Sequence, residues 1–284
     1  MKKLISFICL ALLFFHGNIH AQDSTYKSSS QSPYKTSFKV DGPVIAAGIG
    51  LSVLGLSLIQ NKDDLTDAQL QTKTRSKVPF FDHSNAGQYS EQADNDSYIP
   101  FYVSFGVPVV MMIANKNERQ KVGQILVLYT ETMAITSTLF TLCDGLVNRS
   151  RPFVYSSTED WHVSEAPDDK RKSKNSQRSF YAGHTAASAA ATFFAAKVFQ
   201  DFNPDSKAKL YVWIIAAAIP ASVGYLRYKA GDHFLSDNLL GYVIGGATGI
   251  LVPQLHKIKA MKNVTVLPGS GDNYKGLTLV YHIQ

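Results

Sequence analysis

Residues 227–237 read RYKAGDHFLSD and join two apolar stretches, 210–228 and 239–255, each long enough for a full helix. Gly231 can break the first helix and Asp232 can cap the second, so the segment is read as a tight joint between antiparallel helices. On that reading His233 and Asp237, four apart, share one helical face. Asp237 can then accept the proton-bearing ring nitrogen of His233, leaving the other nitrogen's lone pair free as a nucleophile. Arg227 lies just upstream, and its planar fork suits two oxygens of a phosphate. An ordinary surface His/Asp pair fits this segment alone equally well.

Working outward, two further polar clusters stand at helix ends. SFYAGHTAA (179–187) opens an alanine-rich stretch. There Gly183 and His184 fall at a helix start, where free amides favour an anion and His184 can protonate a leaving oxygen. DGLVNRSRPF (144–153) closes an earlier stretch, with Arg151 before Pro152 at the point where a helix must stop. Arg149 and Arg178 add positive charge nearby, and for Arg149 the bland account is a partner of the helix dipole.

Apolar stretches at 43–59, 98–114, 123–147, 182–199, 210–228 and 239–255 predict an all-α bundle of about six helices. Their lengths suit membrane spans or the inner helices of a soluble bundle. Glu131, Thr130, Thr132 and Asp144 inside the third stretch must be hidden between helices. The last segment, 257–284, alternates apolar and polar residues about a Gly- and Asn-rich turn and is expected to be a β-hairpin-like tail.

The opening residues, MKKLISFICLALLFFHGNIHA (1–21), carry two lysines, an apolar run and a small residue at Ala21. They are read as an export signal, the run being well short of the roughly 20 residues of a span. Residues 22–42 are polar and expected to be poorly ordered, with the helical domain covering 43–256.

The chain carries a net charge of +6 with 45% apolar residues, and its mean hydropathy is −0.06. It lacks an Arg-rich or aromatic-interleaved stripe, so nucleic acid is not expected; an anionic substrate or a membrane surface is. Cys9 would leave with the signal, and Cys143 alone can form neither an intrachain disulfide nor a cysteine metal site.

Taken together, Arg151-Pro152, then Ser179-Phe180 with Gly183-His184-Thr185, then Arg227, His233 and Asp237 resemble the three ordered signatures of the type-2 phosphatidic-acid-phosphatase (PAP2) and vanadium-haloperoxidase superfamily. The likeness covers roughly residues 98–255. The resemblance implies a phosphohistidine at His233 oriented by Asp237, His184 as acid and then base, and phosphate held by Arg151, Arg227 and the Gly183 amide. It implies no metal and no cofactor. Two positions depart from the pattern. Asp144 stands where the family has a phosphate-binding lysine, and Ala182 replaces the serine of Pro-Ser-Gly-His. A carboxylate there repels an anion unless Arg149, Arg178 or Lys229 neutralises it.

The function expected is a cell-envelope phosphohydrolase. Its substrate would be a lipid phosphate such as phosphatidic acid or lipid A, an isoprenoid diphosphate, or a small soluble phosphoester. Two other classes stay open: a non-catalytic relative binding anionic lipid, and a haloperoxidase using vanadate. Basic segments near 115–121, 206–209 and 256–262 place three loops in the cytoplasm and the site toward the periplasm. A cleaved signal plus a full span at 43–59 inverts that parity. Either the Gly-rich stretch AAGIGLSVLGLSL is re-entrant or packed on the bundle, or the signal is unusual, or the bundle is soluble in the periplasm.

Overall fold

The computed structural model describes residues 32–155, 166–257, 264–271 and 274–281. Six long helices occupy the six apolar stretches: α1 (Phe38–Gln60), α2 (Glu91–Ala114), α3 (Val122–Leu146), α4 (Gly183–Phe202), α5 (Lys209–Ala230) and α6 (Leu235–Leu255). The architecture is the expected all-α bundle. Strands β1 (Val264–Gly271) and β2 (Tyr274–Tyr281) follow and pair antiparallel, with Val264 opposite Tyr281. The expected signal peptide lies outside the described residues.

Residues 32–42, expected to be poorly ordered, are tied to the bundle. Tyr34 is buried, its hydroxyl donates to Asp201 at 2.8 Å, and Lys35 N donates to the His256 carbonyl at 2.9 Å. Asp41 in the first turn accepts Ser37 N at 2.7 Å, which starts α1 at Phe38, before the apolar run itself. Likewise Ser90 caps α2 by accepting Ala93 N at 3.2 Å, so that helix begins in polar sequence well ahead of residue 98.

The Gly-rich stretch in α1 is neither re-entrant nor broken. It is continuous helix packed on α3, with Thr138 Oγ1 donating to the Gly48 carbonyl at 2.7 Å. α4 runs through the centre against α2, α3, α5 and α6, and its alanines are buried. Close approach comes from Gly241, Gly245 and Gly249, four apart on α6. A Cβ on Gly245 would stand 2.0 Å from the Ala186 carbonyl oxygen, so only glycine lets the two backbones meet there.

Of the polar residues expected to be hidden in α3, Glu131, Thr132 and Asp144 are buried, whereas Thr130 is exposed. Thr132, Thr136 and Thr141 donate to the carbonyls of Leu128, Thr132 and Ser137 at 2.8–2.9 Å. Five helices, all but α4, are long and apolar enough to cross a membrane. Their outer faces expose Leu51, Val53, Val110, Ile215 and Val243, an apolar exterior suited to lipid. Helix direction alternates, so segments 115–121, 203–208 and 256–257 gather at one end. The joints α3–α4 and α5–α6 meet at the other.

Candidate active site

The joint between α5 and α6 is set by Gly231, at φ 77°, in the left-handed region that ends α5. A Cβ there would strike the Gln88 carbonyl oxygen at 1.7 Å. His233 follows and is 3% exposed. Its Nδ1 lies 2.7 Å from the carbonyl oxygen of Ser179, which can only accept, so Nδ1 carries the hydrogen and Nε2 keeps its lone pair. Burial, then the nearby guanidiniums of Arg151 and Arg227, hold this imidazole well below the usual histidine range. The ring is therefore neutral.

Asp237 does not take the role expected of it. α6 begins only at Leu235, with Phe234 extended at ψ 166°, so His233 precedes the helix and shares no helical face with Asp237. The Asp237 carboxylate instead accepts the Ser179 hydroxyl at 2.6 Å and Phe234 N at 3.1 Å, and pairs with Arg149. It caps α6, a part the sequence reading gave to Asp232. Its reach to His233 runs through Ser179, whose backbone carbonyl orients the ring.

Asp232 faces the two phosphate-binding candidates. It is 2% exposed, pairs with Arg151, and stands 2.6 Å from Arg227 Nη2. Burial alone would raise its carboxyl, but the two guanidiniums win and hold it well below the usual range. Arg227 also pairs with Asp94 of α2 and donates to Ser97 Oγ at 3.3 Å. Arg151 and Arg227 thus stand side by side across one carboxylate.

His184, second residue of α4, packs against the rings of Tyr98 and Phe101 at centroid distances of 5.4 and 4.4 Å. Ala182 precedes the helix with no side-chain cap, which leaves first-turn amides, Gly183 among them, for another acceptor. Gly183 is packed on Phe140, whose ring a Cβ would meet at 2.5 Å.

The unexpected carboxylate at 144 has a partner. Arg178 Nε donates to Asp144 Oδ2 at 2.7 Å, and Asp144 is fully buried. Arg149 is spent elsewhere, on Asp237, Asp82 and the Phe234 ring, while Lys229 is exposed.

Arg151, Arg178, Gly183, His184, Arg227, Asp232 and His233 all line one cavity of about 600 Å³. Asp237, Arg149 and Ala182 stand behind it. Sequence reasoning missed Asp94, Tyr98, Phe101 and the orienting carbonyl of Ser179. Lys170, from the segment that joins Pro152 to Ser179, also lines the cavity, its ammonium 4.6 Å from the Tyr89 ring centroid. None of these had a spacing signal, because their partners are long-range. Phe101, Met133 and Phe140 from α2 and α3 line the same cavity, beside Thr136 and Ser137.

Residues 125–260 match the family model of the PAP2 superfamily. A solved structure, the first transmembrane PAP2-type phosphatidylglycerolphosphate phosphatase, from Bacillus subtilis, is 18% identical; the match covers 73% of this chain and 94% of that one, with a TM-score of 0.37. No curated protein matches the chain.

Proposed function

We propose that this chain, whose residues 125–260 are PAP2 superfamily sequence, is a membrane phosphohydrolase acting on a lipid-borne phosphate ester or diphosphate. The observation that carries this reading is the composition of one cavity: a neutral, oriented His233, a second histidine and three guanidiniums, together with Phe101, Met133 and Phe140 from helices long and apolar enough to cross a membrane. A phosphate headgroup fits the charged groups and its hydrocarbon the apolar ones.

His233 Nε2 attacks phosphorus, the bond to the leaving oxygen breaks, and His184 gives that oxygen its proton. Burial and the guanidiniums of Arg227 and Arg151 hold the His184 imidazole well below the usual histidine range, so it takes up that proton only when the substrate's negative charge offsets them. A phosphohistidine results. Water then attacks it, His184 takes the water's proton, and phosphate leaves with His233 neutral again. Arg151, Arg227 and the Gly183 amide face the charge that builds on the non-bridging oxygens. Asp232 keeps the two arginines parallel before substrate arrives, and the Ser179 carbonyl holds the attacking ring.

Arg178 supplies the cation that Asp144 takes away from the first signature. The salt bridge between them neutralises the buried carboxylate and leaves the guanidinium on the cavity wall, which favours a working site over a degenerate one. The basic segments at the opposite end favour a site facing the periplasm.

The test is phosphate release by the purified chain in detergent, with chelator present, from a phosphatidic-acid-type lipid, an isoprenoid diphosphate and a soluble ester. Turnover of a lipid substrate well above the soluble ester is expected. Release from none of the three defeats the reading, and halide oxidation dependent on vanadate and peroxide would replace it with the haloperoxidase class.

A further inference from the structure

At the end of the bundle away from the phosphate cavity, Asp41 from the first turn of α1, Glu131 from α3 and His256 just past α6 converge. One ligand-type atom from each falls within 4.8 Å of the other two. Their side chains are 4%, 8% and 14% exposed. His256 Nδ1 lies 2.8 Å from the Val252 carbonyl, an acceptor, so Nδ1 holds the hydrogen. The other ring nitrogen, Nε2, faces Asp41 Oδ1 at 3.2 Å and Glu131 Oε2 at 3.4 Å, and in the neutral ring it would present a lone pair to them.

With that tautomer three acceptors face one another in a buried place, an arrangement that a cation at its centre would satisfy. Asp41 Oδ2 is occupied by Ser37 N, so Oδ1 is the oxygen presented to the ring. Glu131 Oε2 is buried without a hydrogen-bond partner and points into the cluster. Among the described residues neither carboxylate pairs with a lysine or arginine.

Two of the three spacings suit a small tetrahedral ion. Around a tetrahedral ion with nitrogen and oxygen ligands at about 2.0–2.1 Å, neighbouring donor atoms stand about 3.3 Å apart. The two distances from Nε2 bracket that value. The hydrogen bond from Nδ1 to a backbone carbonyl is also the arrangement that fixes a metal-bound imidazole. A dication would cancel both carboxylate charges.

We propose that Asp41, Glu131 and His256 form a binding site for a divalent first-row transition ion, zinc being the probe, which staples α1 and the end of α6 to α3. The donor set contains one imidazole, two carboxylates and no thiolate, and leaves a fourth position for water. The site stands apart from the phosphate cavity, so its role is in holding the helices together. It is independent of the phosphohydrolase reading.

The full chain, purified in detergent and freed of metal, is dialysed against zinc, and bound metal is counted by mass spectrometry. Stoichiometric zinc is expected, weakened roughly 100-fold or more in Glu131→Gln and in His256→Ala. X-ray absorption of the wild-type protein, which needs no variant to fold, is expected to show only nitrogen and oxygen ligands at about 2.0–2.1 Å. Loading zinc should raise the thermal midpoint of wild type and leave Glu131→Gln unmoved. Failure of wild type to bind zinc overturns the proposal and leaves a protonated imidazole clamped by two carboxylates. Equal binding by Glu131→Gln overturns it as well, showing an ion held elsewhere.

Discussion

Ser179 touches His233 through its backbone and Asp237 through its side chain: its carbonyl accepts His233 Nδ1 at 2.7 Å while its hydroxyl donates to Asp237 at 2.6 Å. The His233 ring is therefore oriented by a main-chain atom that no side-chain substitution removes. Ser179→Ala is expected to keep turnover within about tenfold of wild type, whereas Asp237→Ala removes one of the two carboxylates that hold Arg149 and uncaps α6. Truncating one member of a buried pair costs roughly 3–5 kcal/mol, so the thermal midpoint should fall far more in Asp237→Ala than in Ser179→Ala. Equal losses of turnover and stability in both would mean that the hydroxyl, not the carbonyl, does the orienting.

Asp144 and Arg178 form a unit. Removing Arg178 leaves a fully buried carboxylate alone, and Arg178→Ala is expected to destabilise by roughly 3–5 kcal/mol and to weaken substrate binding. Asp144→Lys, which restores the residue type of the resembling family, sets two cations against each other and is expected to lower turnover at least about tenfold, read from initial rates. A large gain in that variant would show a native site crippled by its carboxylate.

The bundle and the three clusters were legible in the sequence because both are local signals: apolar runs of helical length, and short motifs at their ends. What failed was local geometry at the α5–α6 joint. The four-residue spacing of His233 and Asp237 suggested a shared face, but α6 starts two residues after His233, so the periodicity does not yet apply. Asp232 was legible as a polar residue after a glycine, yet its partners Arg151 and Arg227 come from different elements and only tertiary packing names them. The same holds for Asp144, whose compensating Arg178 was one of three candidates until the fold chose it.

Stability should report the state of His233. Its pKa is lowered on folding, so its contribution is full above the unfolded value of about 6.5 and is lost as pH falls below it, by about 1.4 kcal/mol per pH unit. Glu118, pushed up to about 7 by burial, titrates with the opposite sign, stability falling as pH rises from the unfolded carboxyl value toward 7. The difference between wild type and His233→Asn isolates the histidine. Between pH 7.5 and 5 the wild-type midpoint is expected to drop further than that of the variant; parallel curves would mean His233 is not held neutral.

Helix α6 meets α4 where a Cβ on Gly245 would stand 2.0 Å from the Ala186 carbonyl. Gly245→Val must push the two helices apart, and with them His184 and His233. A loss of about 2 kcal/mol or more is expected, together with a fall in kcat, measured by denaturation and initial rates. A variant as stable and active as wild type would show that the two helices can part here without cost.

The most direct measurement is acid-stable versus acid-labile label on the protein after rapid quench with radiolabelled lipid phosphate. Wild type should carry alkali-stable, acid-labile label, the mark of a phosphohistidine. The label should accumulate in His184→Gln if deprotonation of water limits breakdown more than leaving-group protonation limits attack, and it should be absent, along with phosphate release, in His233→Ala. Phosphate release that persists in His233→Ala contradicts the assignment of the nucleophile.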